Sequence, residues 1–455
     1  MRWFALCSFA VALGACAEPA VEILGECHPA SREVELALDP GERLTAVGLI
    51  DEHVLVTTVI PVAPDDPDGE WLVDVRARWL DGSFSPVGDP IVLGRWRDVP
   101  AAGRTRWQRV GDALVGQVMA DPRRSRMQPH DVDLVHVWTM RPPPEATAER
   151  AQVDVPVRQR LDGTGELWLS GLLYSGLHEM ASPAALVDGR VVHALIGVPN
   201  VCTSTDDDAV LLFRESGGGW SGAPVQPGEE GCALPAELRS PAVPWLVALP
   251  GGGAGLLFRR DVGRDGHVQW LRLSSDLRPL GTAVRVGGGS PYQTDFGGQP
   301  RAFAFDDGHV VMAERPVAHD RCRSFRVFDV DGSDAHDGPW KLPCSDEIEN
   351  EFGAPLPRRI TQFLEIEPIA DRGAVVVYTD VRNRDWPGGS EPTVVRAALL
   401  TSRGQRGSET LDLSDPGGPA VSSLVLTATD GDRGVALWAA GGVPRARLFT
   451  CSLHD

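Results

Sequence analysis

The sequence predicts an all-β chain of seven small antiparallel sheets set around an axis. Three observations predict it: a hairpin pattern that recurs seven times, a spacing near sixty residues, and a last unit too short to complete itself. The hairpins begin at Ala46, Trp107, Ala184, Trp245, Ala302, Leu364 and Leu424, in steps of 61, 77, 61, 57, 62 and 60 residues. Each is an apolar run, a break of Asp, Gly or Asn type, and a second run rich in Val and Leu, the pattern of paired half-buried strands. A sheet this small cannot bury both faces alone, so units repeated at this period stack on one another.

A second set of strands completes each unit to four. Segments from Trp71, His267 and Val394 share one grammar: an alternating apolar strand, a polar turn, a Gly and a short outer strand. Those from Ala209 and Ser324 follow the same template. The second unit is the loosest, with DLVHVWTM from Asp133, a proline-rich turn at Pro142–Pro144 and QVDVPV from Gln152. The step of 77 residues adds Arg158 to Met180, whose default role is an extra hairpin packed on the second unit, with a cap or a docking surface as alternatives. The seventh unit offers only Arg445–Cys451 after its hairpin, so a fourth strand must come from elsewhere, and EVELALD, Glu33–Asp39, alternates as an outer strand does. This resembles the ring closure of seven-bladed β-propellers with four-stranded blades, in which an N-terminal strand finishes the last blade and removes an exposed edge.

The start, MRWFALCSFAVALGAC, has Arg2 before a short apolar run, as a secretory leader does. Leu13, Gly14, Ala15 and Cys16 resemble the lipobox of bacterial lipoproteins. The resemblance implies cleavage before Cys16, a lipid on its sulfur, and a membrane-anchored extracytoplasmic protein. Ala17 rather than Asp after the cysteine implies onward transport to the outer membrane. The expected organisation is then a leader at 1–15, lipidated Cys16 with a short linker at 16–32, and the repeat domain at 33–455. No apolar run reaches the roughly 18 to 20 residues of a membrane helix.

Without Cys7 and Cys16 six cysteines remain, an even number that suits an oxidising compartment. Unit geometry suggests the pairs Cys27–Cys451, Cys202–Cys232 and Cys322–Cys344, three bridges among fifteen possible connectivities. No CxxC or Cys/His spacing points to zinc. The formal charge of −20 argues against nucleic acid as partner. Lys341 is the only lysine, so Schiff-base chemistry has almost no candidate.

The loops joining second to third strands are rich in arginine for so acidic a chain. Arg259, Arg260, Arg315, Arg382 and Arg384 are the expected ligand contacts, suited to carboxylates, phosphates or sulfates through bidentate bonds. Asp261, Asp320, Asp380 and Asp385 occupy the same loops, and local pairing is the competing reading. Acidic turns at Asp329–Gly338 and Ser204–Ala209 leave calcium open as the one cofactor, although neither follows the EF-hand order and both residue types are ordinary turn formers. No other metal or cofactor is expected. No GxSxG, HExxH or phosphate loop appears. The reading is therefore a monomeric binding or scaffolding lipoprotein of the cell envelope, contacting the bilayer through its lipid and an envelope protein or acidic glycan through its loops. The alternative is a carbohydrate-active hydrolase of sialidase or glycosidase type, for which Tyr378 beside Asp380 is the nucleophile candidate and no acid can be assigned.

Overall fold

The computed structural model describes residues 24–62, 72–97, 106–119, 135–153, 166–168, 185–200, 209–216, 219–224, 241–260, 267–288, 301–314, 324–333, 347–349, 355–357, 359–369, 373–382, 394–416, 418–419 and 421–454. These residues form small antiparallel sheets, with no helix among them. All seven expected hairpins are present, and each opens a sheet. We number the sheets in chain order. Sheet 1 runs Arg43–Ile50, His53–Val62, Leu72–Leu80 and Pro86–Arg97; sheet 2 runs Gln108–Val110, Ala113–Met119, Val135–Met140 and Ala148–Val153. Sheet 3 holds Ala185–Val187, Arg190–Asn200, Ala209–Ser216 and Gly219–Pro224; sheet 4 holds Pro241–Ala248, Ala254–Arg260, His267–Leu273 and Val284–Gly288. Sheet 5 has Arg301–Ala304, His309–Glu314 and Ser324–Asp329; sheet 6 has Arg359–Ile369, Gly373–Arg382, Val394–Leu400 and Leu411–Asp412. Sheet 7 has Val421–Asp430, Arg433–Ala440 and Val443–Leu453. A separate two-stranded ribbon pairs Glu347–Glu349 with Pro355–Pro357.

Sheets bury both faces against their neighbours, which is why the second strands read as nearly unbroken apolar runs. In Gly373–Arg382 the alternation assigns Val375 and Val377 to the core shared with sheet 7, and Ala374, Val376 and Tyr378 to the core shared with sheet 5. In Ala254–Arg260, Leu256 and Phe258 meet sheet 3 while Leu257 meets sheet 5. The first strand of sheet 1 contacts the first strands of sheets 7 and 2, and the first strands of sheets 4 and 5, 5 and 6, and 6 and 7 contact one another in turn. Sheet 3 joins this series through Ala185–Val187, which meets the first strands of sheets 2 and 4.

Turn chemistry fixes the register. The turns that follow the third strands of sheets 1, 4, 5 and 6 share one geometry, with Phe84, Leu277, Gly332 and Gly404 at φ of 64°, 63°, 89° and 68°. In each, the residue three positions earlier accepts that residue's N–H and donates its own N–H to the carbonyl one residue further on, the bonding of a type I turn with a bulge. Asp81 caps the first of these: its Oδ1 accepts from Ser83 N (2.9 Å), Ser83 Oγ (2.7 Å) and Ser85 N (2.9 Å).

The seam of sheet 7 corrects two expectations. The main closing strand is Gly25–Pro29, which pairs residue by residue with Phe449–Leu453, and Glu33–Asp39 supplies only Val34 and Glu35, opposite Ala446 and Arg445. The sheet structure therefore begins inside the stretch expected to be linker. The alternation of EVELALD serves another purpose, sending Leu36 into the core between sheets 7 and 1. Cys27 lies opposite Cys451 and is bonded to it, as expected. Of the insertion from Arg158 to Met180 only Glu166–Trp168 lies among the described residues, and it pairs with Val198–Asn200 of sheet 3. Cys16, Cys202, Cys232, Cys322 and Cys344 lie outside the described residues.

Candidate functional site

In an antiparallel hairpin the end of the second strand and the start of the first share one rim. At this rim sheet 4 places Arg259 opposite Ala242 and Arg260 opposite Pro241. Sheet 6 places Arg382 directly opposite Arg359. Sheet 5 begins its first strand with Arg301, opposite Ala313. Three consecutive sheets thus carry arginine at rim positions. Two like charges directly opposite on adjacent strands are destabilising unless an anion or acidic group lies against them. Arg315 and Arg384 lie outside the described residues, just past the ends of the second strands of sheets 5 and 6.

Toward the other edge, beside the turns between first and second strands, a charged cluster joins three sheets that are not sequence neighbours. Arg106, just before the first strand of sheet 2, donates from Nη2 to Glu367 Oε2 (2.7 Å) and to the Ile366 carbonyl (3.3 Å), both on the first strand of sheet 6. Its guanidinium lies 5.0 Å from the ring centre of Trp245, on the first strand of sheet 4, a cation–π contact. Glu367 is 8% exposed, so its charge needs this partner. One turn of sequence further on, Arg109 donates to Asp430 Oδ1 (2.5 Å) and lies 3.3 Å from Asp51, tying sheet 2 to sheets 7 and 1. Hydrogen bonding to Asp430 raises the Arg109 pKa further.

Tyr378 is 1% exposed and sits in the core between sheets 5 and 6. Burial pushes its phenol up from the ordinary 10.0, against a hydrogen bond with Thr410. Its cross-strand partner is Arg396, which bonds Asp380 through Nη1 and Asp412 through Nε (2.8 Å). Burial opposes the charge on Arg396, but the two carboxylates outweigh it and raise the pKa. One guanidinium thus holds two acids, and the group is a structural tie rather than an open site. At the turn expected as a calcium candidate, Asp331 Oδ1 accepts from Ser333 N (2.9 Å) and Ser333 Oγ (2.6 Å). Among the described residues no cluster of His, Cys, Asp and Glu is arranged to hold a metal ion.

Sequence reading missed Arg106, Glu367, Trp245, Arg301 and Arg359. A signal existed for one of them: LEIEPI sets two acids into an otherwise apolar inner strand, and a buried acid requires a partner.

No family model matches the chain, and no curated protein sequence matches it. Among solved structures it is similar to an ulvan lyase of a new polysaccharide lyase family, at 9% identity and a TM-score of 0.45, covering 96% of this chain and 97% of that one. It is also similar to a protein of unknown function from Dyadobacter fermentans, at 10% identity and 0.44, covering 94% and 99%. A Trypanosoma rangeli sialidase in complex with the inhibitor DANA aligns at 11% identity and 0.39, covering 94% of this chain and 58% of that one. At these values no residue role or substrate passes from them to this chain.

Proposed function

We propose that this chain is a lipid-anchored, extracytoplasmic binding or scaffolding protein whose seven sheets close into one propeller ring and whose arginine rim takes an anionic partner, an acidic glycan or an acidic protein surface. The ring reading is supported by the series of contacts in which neighbouring sheets meet in turn, the seventh meeting the first. It is supported also by a last sheet completed from the N-terminal segment. The anion reading rests on one observation above the others: Arg259, Arg260, Arg301, Arg359 and Arg382 occupy rim positions of three consecutive sheets. An acidic chain that gathers arginine at one rim presents a local field opposite to its net charge, which favours anions there.

The attachment geometry supports a rim turned away from the membrane. Leu24 donates to the Gly407 carbonyl (2.7 Å), beside the turn between third and fourth strands of sheet 6, and accepts from His454 N (2.6 Å). The chain therefore joins the sheets at the edge opposite the arginine rim. A lipid on Cys16 reaches that edge through residues 17–23, at most about 25 Å when extended, so the rim faces away from the membrane.

Immobilised mature protein should retain polygalacturonate and release it as salt rises, with no retention of neutral dextran. Release of product from a panel of chromogenic glycosides would replace the binding reading with a hydrolase.

A further inference from the structure

We infer that sheet 7 is a notch in the arginine rim, and that a linear polyuronate chain leaves the mouth of the ring through it. The inference rests on the ring and anion readings above and gives them a path and a chemical class.

The second and third strands of sheet 7 are joined by Gly441 and Gly442 alone, between Ala440 and Val443, which pair with each other. Both glycines are exposed, at φ of 59° and 82°, the two positive angles of a type I′ turn. A two-residue turn cannot rise far above the strands it joins. The corresponding connections of the other six sheets, 63–71, 120–134, 201–208, 261–266, 315–323 and 383–393, are at least three times as long. Ala440 also lies opposite Val421, the start of the first strand, so the short turn sits at the same rim as the arginines.

Arginine flanks the notch on both sides. Sheet 6 brings Arg359 and Arg382 to one side. On the other, Arg43 opens the first strand of sheet 1 and is exposed. The notch itself is uncharged, with Pro419 beside Gly441. Packed sheets stand about 10 Å apart, so sheets 6 and 1 are about 20 Å apart across sheet 7. A folded domain with a radius of gyration of about 13 Å does not enter a gap of that width, whereas a single polymer chain does. A chain that follows the arc from sheet 4 to sheet 6 and passes out over sheet 7 meets arginine positions along its length, and carboxylates suit them through bidentate bonds. Among such chains, a polyuronate carries each carboxylate on a closed sugar ring. An acidic polypeptide must fix two backbone dihedrals and a side chain for each charge, so the stiffer polyuronate loses less freedom on binding.

The test sets polygalacturonate, digalacturonate and polyglutamate against the folded mature protein, alongside thermal melting of every variant. Counted per carboxylate, polygalacturonate should bind at least tenfold more tightly than either of the others. Gly441→Asp and Gly441→Asn both give sequences that favour a type I′ turn, and they differ from each other in charge. Gly441→Asp should weaken polygalacturonate about fivefold, the effect of one like charge at contact distance in water. Gly441→Asn should bind it as the native protein does, and digalacturonate should be held alike by all three. Equal polygalacturonate affinity in the two Gly441 variants would overturn the inference, as would digalacturonate or polyglutamate that matches polygalacturonate per carboxylate. If the Gly441 variants bind alike while Arg259→Ala with Arg382→Ala abolishes retention, the notch falls and the rim reading stands. Loss in Gly441→Asp with full retention in the arginine variant keeps the notch and removes the arc. A native protein that retains no polygalacturonate contradicts both.

Discussion

Tyr378 is one of three tyrosines, and the other two, Tyr174 and Tyr292, lie outside the described residues. Because burial raises its pKa, the native phenol keeps its proton above the ordinary 10.0 while the unfolded one does not. That contribution to stability is complete below pH 10 and is lost as pH rises through the folded value. Alkaline titration followed by phenolate absorbance should show a late-ionising component that disappears in Tyr378→Phe. A titration unchanged by that substitution would contradict the buried placement. Beside it, Arg396→Met removes the guanidinium that bonds buried Asp380, and removal of one member of such a pair costs about 3 kcal/mol. Urea unfolding of Arg396→Met measures it, and a variant as stable as the native protein would show the tie to be idle. The sequence places Tyr378 correctly on a second strand beside Asp380, but its burial depends on Phe325 and Val327 of sheet 5, which no local pattern reveals.

At the scale of the element, the turn at Asp81 carries a pH dependence. Hydrogen bonds from the Ser83 hydroxyl, the Ser85 amide and the Ser83 amide hold its carboxyl below the ordinary 3.8. A depressed carboxyl stabilises the fold above the unfolded value and loses that contribution as pH falls through the folded one. Asp81→Asn should therefore lower the melting temperature at neutral pH and narrow its gap to the native protein in acid; a gap constant with pH would refute the assignment. Packing across strands is equally specific. A methyl on Gly255 would lie 1.7 Å from Trp270 Cη2, so Gly255→Ala must displace the indole whose Nε1 donates to the Val330 carbonyl (2.9 Å). We expect a loss of about 2 kcal/mol in chemical denaturation, the usual effect of overpacking. No loss would show that the indole moves freely.

The hairpins were legible because alternation and turn residues are local. The closing strand was not: GECHP has few β-favouring residues, and it pairs because Cys27 meets Cys451 and because the edge of Val443–Leu453 needs a partner. Irregularities in the first strands escaped as well. Sheets 1, 4, 6 and 7 all shift register there, between Leu44 and Ala46, Ala242 and Trp245, Thr361 and Leu364, and Val421 and Val425. Extra residues at these points re-aim an inner strand without changing its apolar pattern.

Over the whole molecule, the bond from Cys27 to Cys451 spans 424 residues and joins the two ends of the chain. A bridge over so long a loop stabilises mainly by restricting the unfolded chain, by about 4 kcal/mol. The variant Cys27→Ala with Cys451→Ala should lose close to that in guanidinium unfolding, and an unchanged midpoint would mean that the seam is not where the fold opens. The sixty-residue period made the seven hairpins readable in sequence, since it reports a repeated unit. The convergence of Arg106, Glu367 and Trp245 from three distant units is a property of tertiary packing and has no period.

The arginine rim is the centre of the account, and the salt dependence of polygalacturonate affinity tests it most directly. For the native mature protein the affinity should fall steeply as salt rises, and Arg259→Ala with Arg382→Ala should flatten that slope and weaken binding at least tenfold at low salt. An identical slope and affinity in that variant would place the anion contact elsewhere and contradict the account.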